Sequence, residues 1–167
     1  MILVGDIGNS ETKIFLFNSK KKIIKRITFN TKDVSQLLLK KKLAKIKNIK
    51  KILFCSVVPR TFRLVKYFFT NQYGIKCYEL KELKLKNLLQ IKVNYKQIGS
   101  DRLANSIGVM NIKNNFIILD FGTATTFDVL IKNTYLGGII APGLKLSLNT
   151  LIDKATLIPK LNLKKTQ

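Results

Sequence analysis

Hydrophobic positions fall in short runs broken by polar, Gly- or Asn-containing stretches, and their period switches between two and about 3.6. Ile2 to Val4 is an apolar run ending in Gly5-Asp6, and Asp6-Ile7-Gly8-Asn9-Ser10 reads as a turn. Thr12 to Phe17 and Lys22 to Phe29 read as strands flanking a turn at Asn18-Ser19-Lys20, so a three-stranded meander opens the chain. A helix capped by Asp33 or Ser35 is expected to run to about Ile46, with Val34, Leu37, Leu38, Leu43 and Ile46 on its apolar face. Lys51 to Val58 reads as a buried parallel strand. Pro59 starts a helix carrying Phe62, Val65, Phe68 and Phe69 and ending at Gly74, and Ile75 to Leu80 is again a strand. Lys81 to Tyr95 has no clear period and reads as a connector. Ser100 to Met110 reads as a helix, with Leu103, Ala104, Ile107 and Val109 on or near one face.

The opening pattern then returns. Phe116 to Leu119 is an apolar run leading into Asp120-Phe121-Gly122-Thr123, followed by strands over Thr125 to Ile131 and Tyr135 to Ile140 with a turn at Asn133. Pro142-Gly143 leads into a helix from about Leu144 to Lys154. Aligning Asp6 with Asp120 puts Gly8 on Gly122, Asn9 and Ser10 on Thr123 and Ala124, and Thr12 on Thr126. The duplication predicts two related domains, 1–113 and 114–167, with the second incomplete.

Composition narrows the chemistry. A chain of 167 residues, 46% hydrophobic and 24% charged, suits one domain or one domain and part of a second. No run approaches a membrane helix, and the start carries no basic region of a secretory signal. The absence of His excludes His-based triads, His general bases and most zinc sites. Cys55 and Cys77 fit no metal spacing and read as reduced thiols of a cytosolic protein. The net charge of +22 predicts non-specific polyanion binding at low salt. It does not argue for base readout, because the cations are 27 Lys and only 4 Arg.

The two Asp-x-Gly turns carry the chemistry. A glycine there permits positive φ and lets the backbone approach a ligand, and successive N–H groups form an anion-binding nest. Hydroxyls of Ser10, Thr12, Thr123 and Thr125 add donors for phosphate oxygens, and the carboxylates of Asp6 and Asp120 can hold a cation. The plain alternative is an ordinary β-turn with Asx geometry, which a second aligned copy disfavours. Gly99-Ser100-Asp101-Arg102 sets a carboxylate beside a guanidinium at a helix start. It serves as simple capping, or as an acid–base and anion-binding pair. P-loop, dinucleotide and protein-kinase motifs are absent.

Together these segments resemble the type III pantothenate kinases of the acetate kinase, sugar kinase, chaperone ATPase and actin superfamily. The resemblance runs from Leu3 to about Lys160. It rests on Asp6-Ile7-Gly8-Asn9-Ser10, Gly99-Ser100-Asp101-Arg102, Asp120-Phe121-Gly122-Thr123 and Gly137-Gly138-x-Ile140-x-Pro142-Gly143. It implies an α/β, duplicated actin-like (ribonuclease H-like) ATPase fold. The implied activity is ATP-dependent phosphorylation of pantothenate to 4′-phosphopantothenate, the first step of coenzyme A biosynthesis, in a cytoplasmic homodimer.

By the same resemblance Asp101 is the general base. Asp6, Ile7, Gly8, Asn9, Ser10, Glu11, Thr12, Lys13 and Thr123 hold ATP, and Gly99, Ser100, Asp101 and Arg102 line the pantothenate site. Asp120 binds a monovalent cation, K⁺ or NH₄⁺, and Asp6 takes Mg²⁺. Tyr95 stands either for the family's pantothenate-contacting aromatic or in the place of a missing Pro. Family members usually run longer, so the second domain is expected to leave apolar surface uncovered. The alternative is a non-catalytic, regulator-like relative of the same fold that binds nucleotide or nucleic acid.

Overall fold

The computed structural model of the chain describes residues 1–155 and 159. The C-terminal end of the family resemblance, near Lys160, lies outside the described residues. The chain divides into two compact units, residues 1–88 with 95–108, and residues 89–94 with the chain from Val109 onward. The expected single boundary at 113 is therefore discontinuous, because residues 89–94 of the supposed connector join the second unit.

In the first unit, β1 (Ile2–Ile7), β2 (Glu11–Phe17) and β3 (Ile23–Asn30) form the antiparallel meander. The strands β4 (Lys51–Ser56) and β5 (Cys77–Glu79) add in parallel beyond β1, giving the order β3-β2-β1-β4-β5. One face of this sheet carries Leu3, Ile7, Ile14, Leu16, Ile52 and Phe54, all buried.

Helices α1 (Gln36–Leu43) and α2 (Pro59–Tyr73) pack further side chains into that core, joined by Ile27, Ile46, Ile49 and Cys77. α2 follows its sequence closely. Pro59 opens it, where a missing N–H costs nothing, and Gly74 closes it at φ 63°. Phe62, Val65, Phe68 and Phe69 are buried. Phe54 lies 6.4 Å from Phe62 and 6.1 Å from Phe69, centroid to centroid. Each such side chain contributes roughly 1.5–3 kcal/mol by burial.

α1 departs from the expected face. Ser35 is the cap, its hydroxyl accepting the Leu38 amide at 3.2 Å, and the helix ends at Leu43 rather than Ile46. Leu39 and Leu43, one turn apart, are buried, whereas Leu37 is 78% exposed. Three lysines at 40–42 leave only that narrow stripe for packing.

The second unit is a single sheet in the order β6-β9-β8-β7, with one helix after it. Its strands are β6 (Gln90–Ile91), β7 (Asn115–Phe121), β8 (Ala124–Ile131) and β9 (Thr134–Pro142), and α3 (Ser100–Val109) of the first unit lies before β7 in sequence. The final helix is α4 (Leu144–Lys154). β6, too short for a sequence signature, pairs in parallel with β9 through Gln90↔Thr134 and Ile91↔Tyr135. Here few large apolar side chains are buried: Leu89, Leu130 and Tyr135 are, while Ile117, Phe121, Ile139 and Ile140 are each more than 60% exposed. The buried Asp128 carboxylate accepts a hydrogen bond from Tyr135 Oη at 2.5 Å. Among the described residues no helix is long and apolar enough to cross a membrane.

Candidate active site

The first Asp-x-Gly turn joins β1 to β2. The Gly8 amide donates to the Glu11 carbonyl at 3.0 Å, closing the turn. Thr31, just past β3, pins it from behind. The Thr31 amide donates to Ser10 O at 2.9 Å and its hydroxyl to Gly8 O at 2.7 Å. Thr12, fully buried, shares a 3.0 Å hydroxyl contact with Thr31. The Thr12 hydroxyl thus stabilises the turn from inside instead of presenting a phosphate donor, which corrects the expectation for that side chain. Thr31 was missed because a Thr at a strand end carries no distinguishing pattern.

Neither Gly8 nor Gly122 takes a left-handed φ, again unlike the expectation. What Gly8 provides is room: a Cβ on it would stand 3.2 Å from Glu11 O. Asn9, Ser10 and Glu11 are exposed at the turn. Asp6 faces the side of the sheet opposite the main core. Its cross-strand neighbours are Lys13 on β2 and Cys55 on β4.

The third motif belongs to the same unit. β4 runs parallel to β1, so Ile7 and Ser56 end side by side, and the Val57 amide donates to Ile7 O at 3.0 Å. Ser100, at the start of α3, is buried, and its hydroxyl is used twice by Ser56. It accepts the Ser56 amide at 2.6 Å and donates to Ser56 O at 3.0 Å. The first residues of α3 are thereby fixed at the carboxyl edge of β1 and β4, the place where open α/β sheets hold ligands.

Asp101 follows at once, its carboxylate accepting the Arg102 amide at 2.8 Å. That carboxylate folds over Gly99: a Cβ there would meet Asp101 Oδ1 at 2.3 Å, so only glycine leaves it this position. Arg102 is buried rather than a surface charge, whereas Val109, expected on the inner face of α3, is 40% exposed. Tyr95 has its hydroxyl on Lys81 O at 3.2 Å, with the Lys81 ammonium 5.0 Å from its ring centroid.

Cys55 stands against the first motif. Its thiol lies 3.4 Å from Asp6 Oδ1 and 3.7 Å from Gly5 O. Burial raises its pKa well above the usual thiol value, and the negative charges of Asp6 and Asp101 raise it further. Cys77, at the far side of the sheet, is a buried free thiol pushed up to about 12 by burial.

The second turn, in the second unit, is one residue shorter. Ile7 pairs with Thr12, but Phe121 pairs with Thr125. Thr12 therefore corresponds to Thr125, not to Thr126 as the linear alignment had it, because period-two alternation turns a one-residue slip into a change of face. Thr125 is buried like Thr12, and Thr126 stands across from Asp120. The Gly122 amide donates to Ala124 O at 2.9 Å and the Gly143 amide to Thr123 O at 3.1 Å. A Cβ on Gly143 would lie 2.3 Å from Gly122 O and 2.6 Å from Thr123 O. The turn is thus seated directly on the backbone leading into α4.

Oxygen donors dominate both turns, which suits hard cations. Among the described residues no three acidic or thiol groups cluster as a metal cage. A cation here would share its shell with phosphate or water. Thr126 Oγ1, buried without a hydrogen-bond partner beside Asp120, gives the second turn an unused oxygen of the kind a monovalent ion accepts.

Two β-meanders turning at Asp-x-Gly define an α/β protein of the actin-like class, and solved structures bear this out. A Sinorhizobium meliloti protein described as a "putative 2-dehydro-3-deoxygalactonokinase" matches with a TM-score of 0.57 at 9% identity, over 94% of this chain and 58% of that one. A Campylobacter jejuni protein described as a "conserved putative Baf family transcriptional activator" matches at 0.54 and 22% identity, over 90% of this chain and 59% of that one. These identities speak to fold alone.

Sequence relatives go further. The type III pantothenate kinase of Pelagibacter ubique (strain HTCC1062) is 66% identical over 170 residues, covering 99% of this chain and 68% of that protein. The type III pantothenate kinase family model matches residues 2–167. The chain belongs to the type III pantothenate kinase family, a kinase family whose members use ATP. It spans about two thirds of that curated relative's length and less than 60% of the two solved neighbours.

Proposed function

We propose that this chain carries the phosphoryl-transfer centre of a pantothenate kinase. The γ-phosphoryl group of ATP passes to the primary hydroxyl of pantothenate. A P–O bond to that oxygen forms, the bond to ADP breaks, and the hydroxyl proton goes to the Asp101 carboxylate. The observation that carries the reading is the pair of hydrogen bonds between Ser100 and Ser56, which sets the start of α3, with Asp101, at the carboxyl edge of β1 and β4 next to the Asp6 turn. A phosphate-type turn and a base candidate therefore share one locale within a single unit. Phosphoryl transfer depends on alignment and charge neutralisation more than on covalent help, and both features serve that need.

In this reading the turn from Asp6 to Lys13 cradles phosphate oxygens through its amides, the Ser10 hydroxyl and the Lys13 ammonium, and Thr123, in the second turn, is a phosphate ligand as well. Gly99, Ser100 and Arg102 shape the pantothenate site, Ser100 through its backbone because its hydroxyl is held by Ser56. Asp6 would hold Mg²⁺ and Asp120, with Thr126, a K⁺ or NH₄⁺ ion. Bound there, the ions would offset phosphate charge. A cytoplasmic homodimer belongs to the same proposal.

The test is pantothenate-dependent ADP release with Asp101→Asn. Asn keeps the Oδ1 acceptor for the Arg102 amide but removes the base. Turnover should fall by about 10²–10⁴-fold with ATP affinity unchanged within twofold. Undiminished turnover would overturn the assignment. ATP binding without turnover in the parent chain would favour the regulator-like alternative.

A further inference from the structure

The Lys81 ammonium is held on two main-chain carbonyls. Its Nζ donates to Ile98 O at 3.0 Å and to Lys96 O at 3.3 Å. The same ammonium lies 5.0 Å from the centroid of the Tyr95 ring, and the Tyr95 hydroxyl returns a hydrogen bond to Lys81 O at 3.2 Å. The base of the side chain is fixed as well. The Lys81 amide donates to Glu79 Oε2 at 2.7 Å, within a short helical turn capped reciprocally by Glu79 and Glu82. Restraining a lysine chain is entropically unfavourable, so an isolated surface lysine does not hold such a geometry unaided. Here four contacts converge on residues 95–98, immediately before Gly99.

We infer that Lys81 is a positioning residue: with Tyr95 it clamps the main chain at Lys96 and Ile98 and so sets the approach of Gly99 and the direction of the Asp101 carboxylate. The proposal rests on the kinase reading for its catalytic consequence, but its structural content stands apart from that reading. The segment is held from both sides. Upstream, Lys81 grips the carbonyls of 96 and 98. Downstream, the Ser100 hydroxyl grips Ser56. Between them lies only Gly99, over which Asp101 folds. Without the upstream grip the closing bond of the 95–97 turn, Ile98 N to Tyr95 O at 3.4 Å, is a weak restraint. In this inference Tyr95, its hydroxyl on Lys81 O and its ring beside the Lys81 ammonium, acts on the site through the backbone and not by touching pantothenate.

The experiment compares the whole chain with Lys81→Met, Lys81→Arg and Tyr95→Phe, by amide hydrogen exchange and by steady-state kinetics. In Lys81→Met the amides of residues 96–103 should exchange at least tenfold faster while β1 and β4 keep their protection. The kcat/KM for pantothenate should fall at least tenfold, with KM for ATP within twofold. Lys81→Arg, which keeps two donors and the stacking charge, should restore most of both. Unchanged exchange over 96–103 in Lys81→Met would overturn the clamp, and so would equally faster exchange throughout the first unit. Should Tyr95→Phe raise KM for pantothenate without altering that exchange, Tyr95 meets the substrate and its place in the clamp falls. Should Lys81→Met show that exchange pattern while the parent chain does not phosphorylate pantothenate, the clamp stands and the kinase reading falls.

Discussion

The two Asp-x-Gly turns share a motif and a meander, yet their surroundings differ in charge and in support. Asp6 has a lysine and a thiol as cross-strand neighbours, Lys13 and Cys55, whereas the cross-strand neighbour of Asp120 is Thr126. A cationic neighbour suits a turn to phosphate, and a carboxylate beside an unused hydroxyl suits it to a cation. The supports also differ. The first turn hangs on a side chain, Thr31, and the second on the backbone at Gly143. One duplicated pattern has thus been specialised by its neighbours, and the one-residue difference in turn length decides which neighbours those are.

Four substitutions probe this contrast. The largest stability effect belongs to Gly143→Ala, whose new methyl overlaps two main-chain oxygens that cannot rotate away. A loss of about 3 kcal/mol is expected from such overpacking, read by denaturant unfolding, with protection lost around 122–124. An effect under about 0.5 kcal/mol would show that the second turn is not seated on Gly143.

Thr31→Val should cost less, about 1–3 kcal/mol, by stranding the Thr12 hydroxyl and the Gly8 carbonyl. Adding Thr12→Val should recover part of that loss, since the stranded hydroxyl goes too. A double variant as unstable as the sum of the singles would break the coupling.

Thr126→Val should barely change stability, because its hydroxyl has no partner to lose. It should nonetheless remove most of the advantage of K⁺ over Na⁺ in turnover. An unaltered K⁺/Na⁺ ratio would take Thr126 out of the proposed cation site.

Much of the architecture was legible beforehand. Pro59, Gly74 and the aromatic spacing between them specify α2, since each acts through local geometry that no partner alters. The repeated meander was equally plain, because period-two alternation with polar breaks survives in both copies. The inner face of α1 was misread, with Leu37 exposed and Leu39 buried, because several leucines in a row permit more than one stripe. β6 was missed because Gln90–Ile91 becomes a strand only by pairing with β9. Among the residues of the candidate site, Asp6 and Asp101 were evident from their motifs. Thr31, Cys55 and Lys81 were not, since a strand-end Thr, a lone Cys and one Lys among 27 carry no spacing that marks them.

The sequence by itself determined which chemistry is present: two carboxylate turns, a third carboxylate at a helix start, no histidine, and a family motif order. These follow from residue type and local spacing, which the chain carries wherever it folds. Tertiary structure decided what each residue does with its polar atoms. It turned the Thr12 hydroxyl inward to Thr31, set Thr126 across from Asp120, brought Cys55 against Asp6, and drew Lys81 onto the carbonyls before Gly99. Strand register and long-range packing make those assignments. A one-residue change in turn length moves a side chain to the other face of the sheet without altering the motif that announces it.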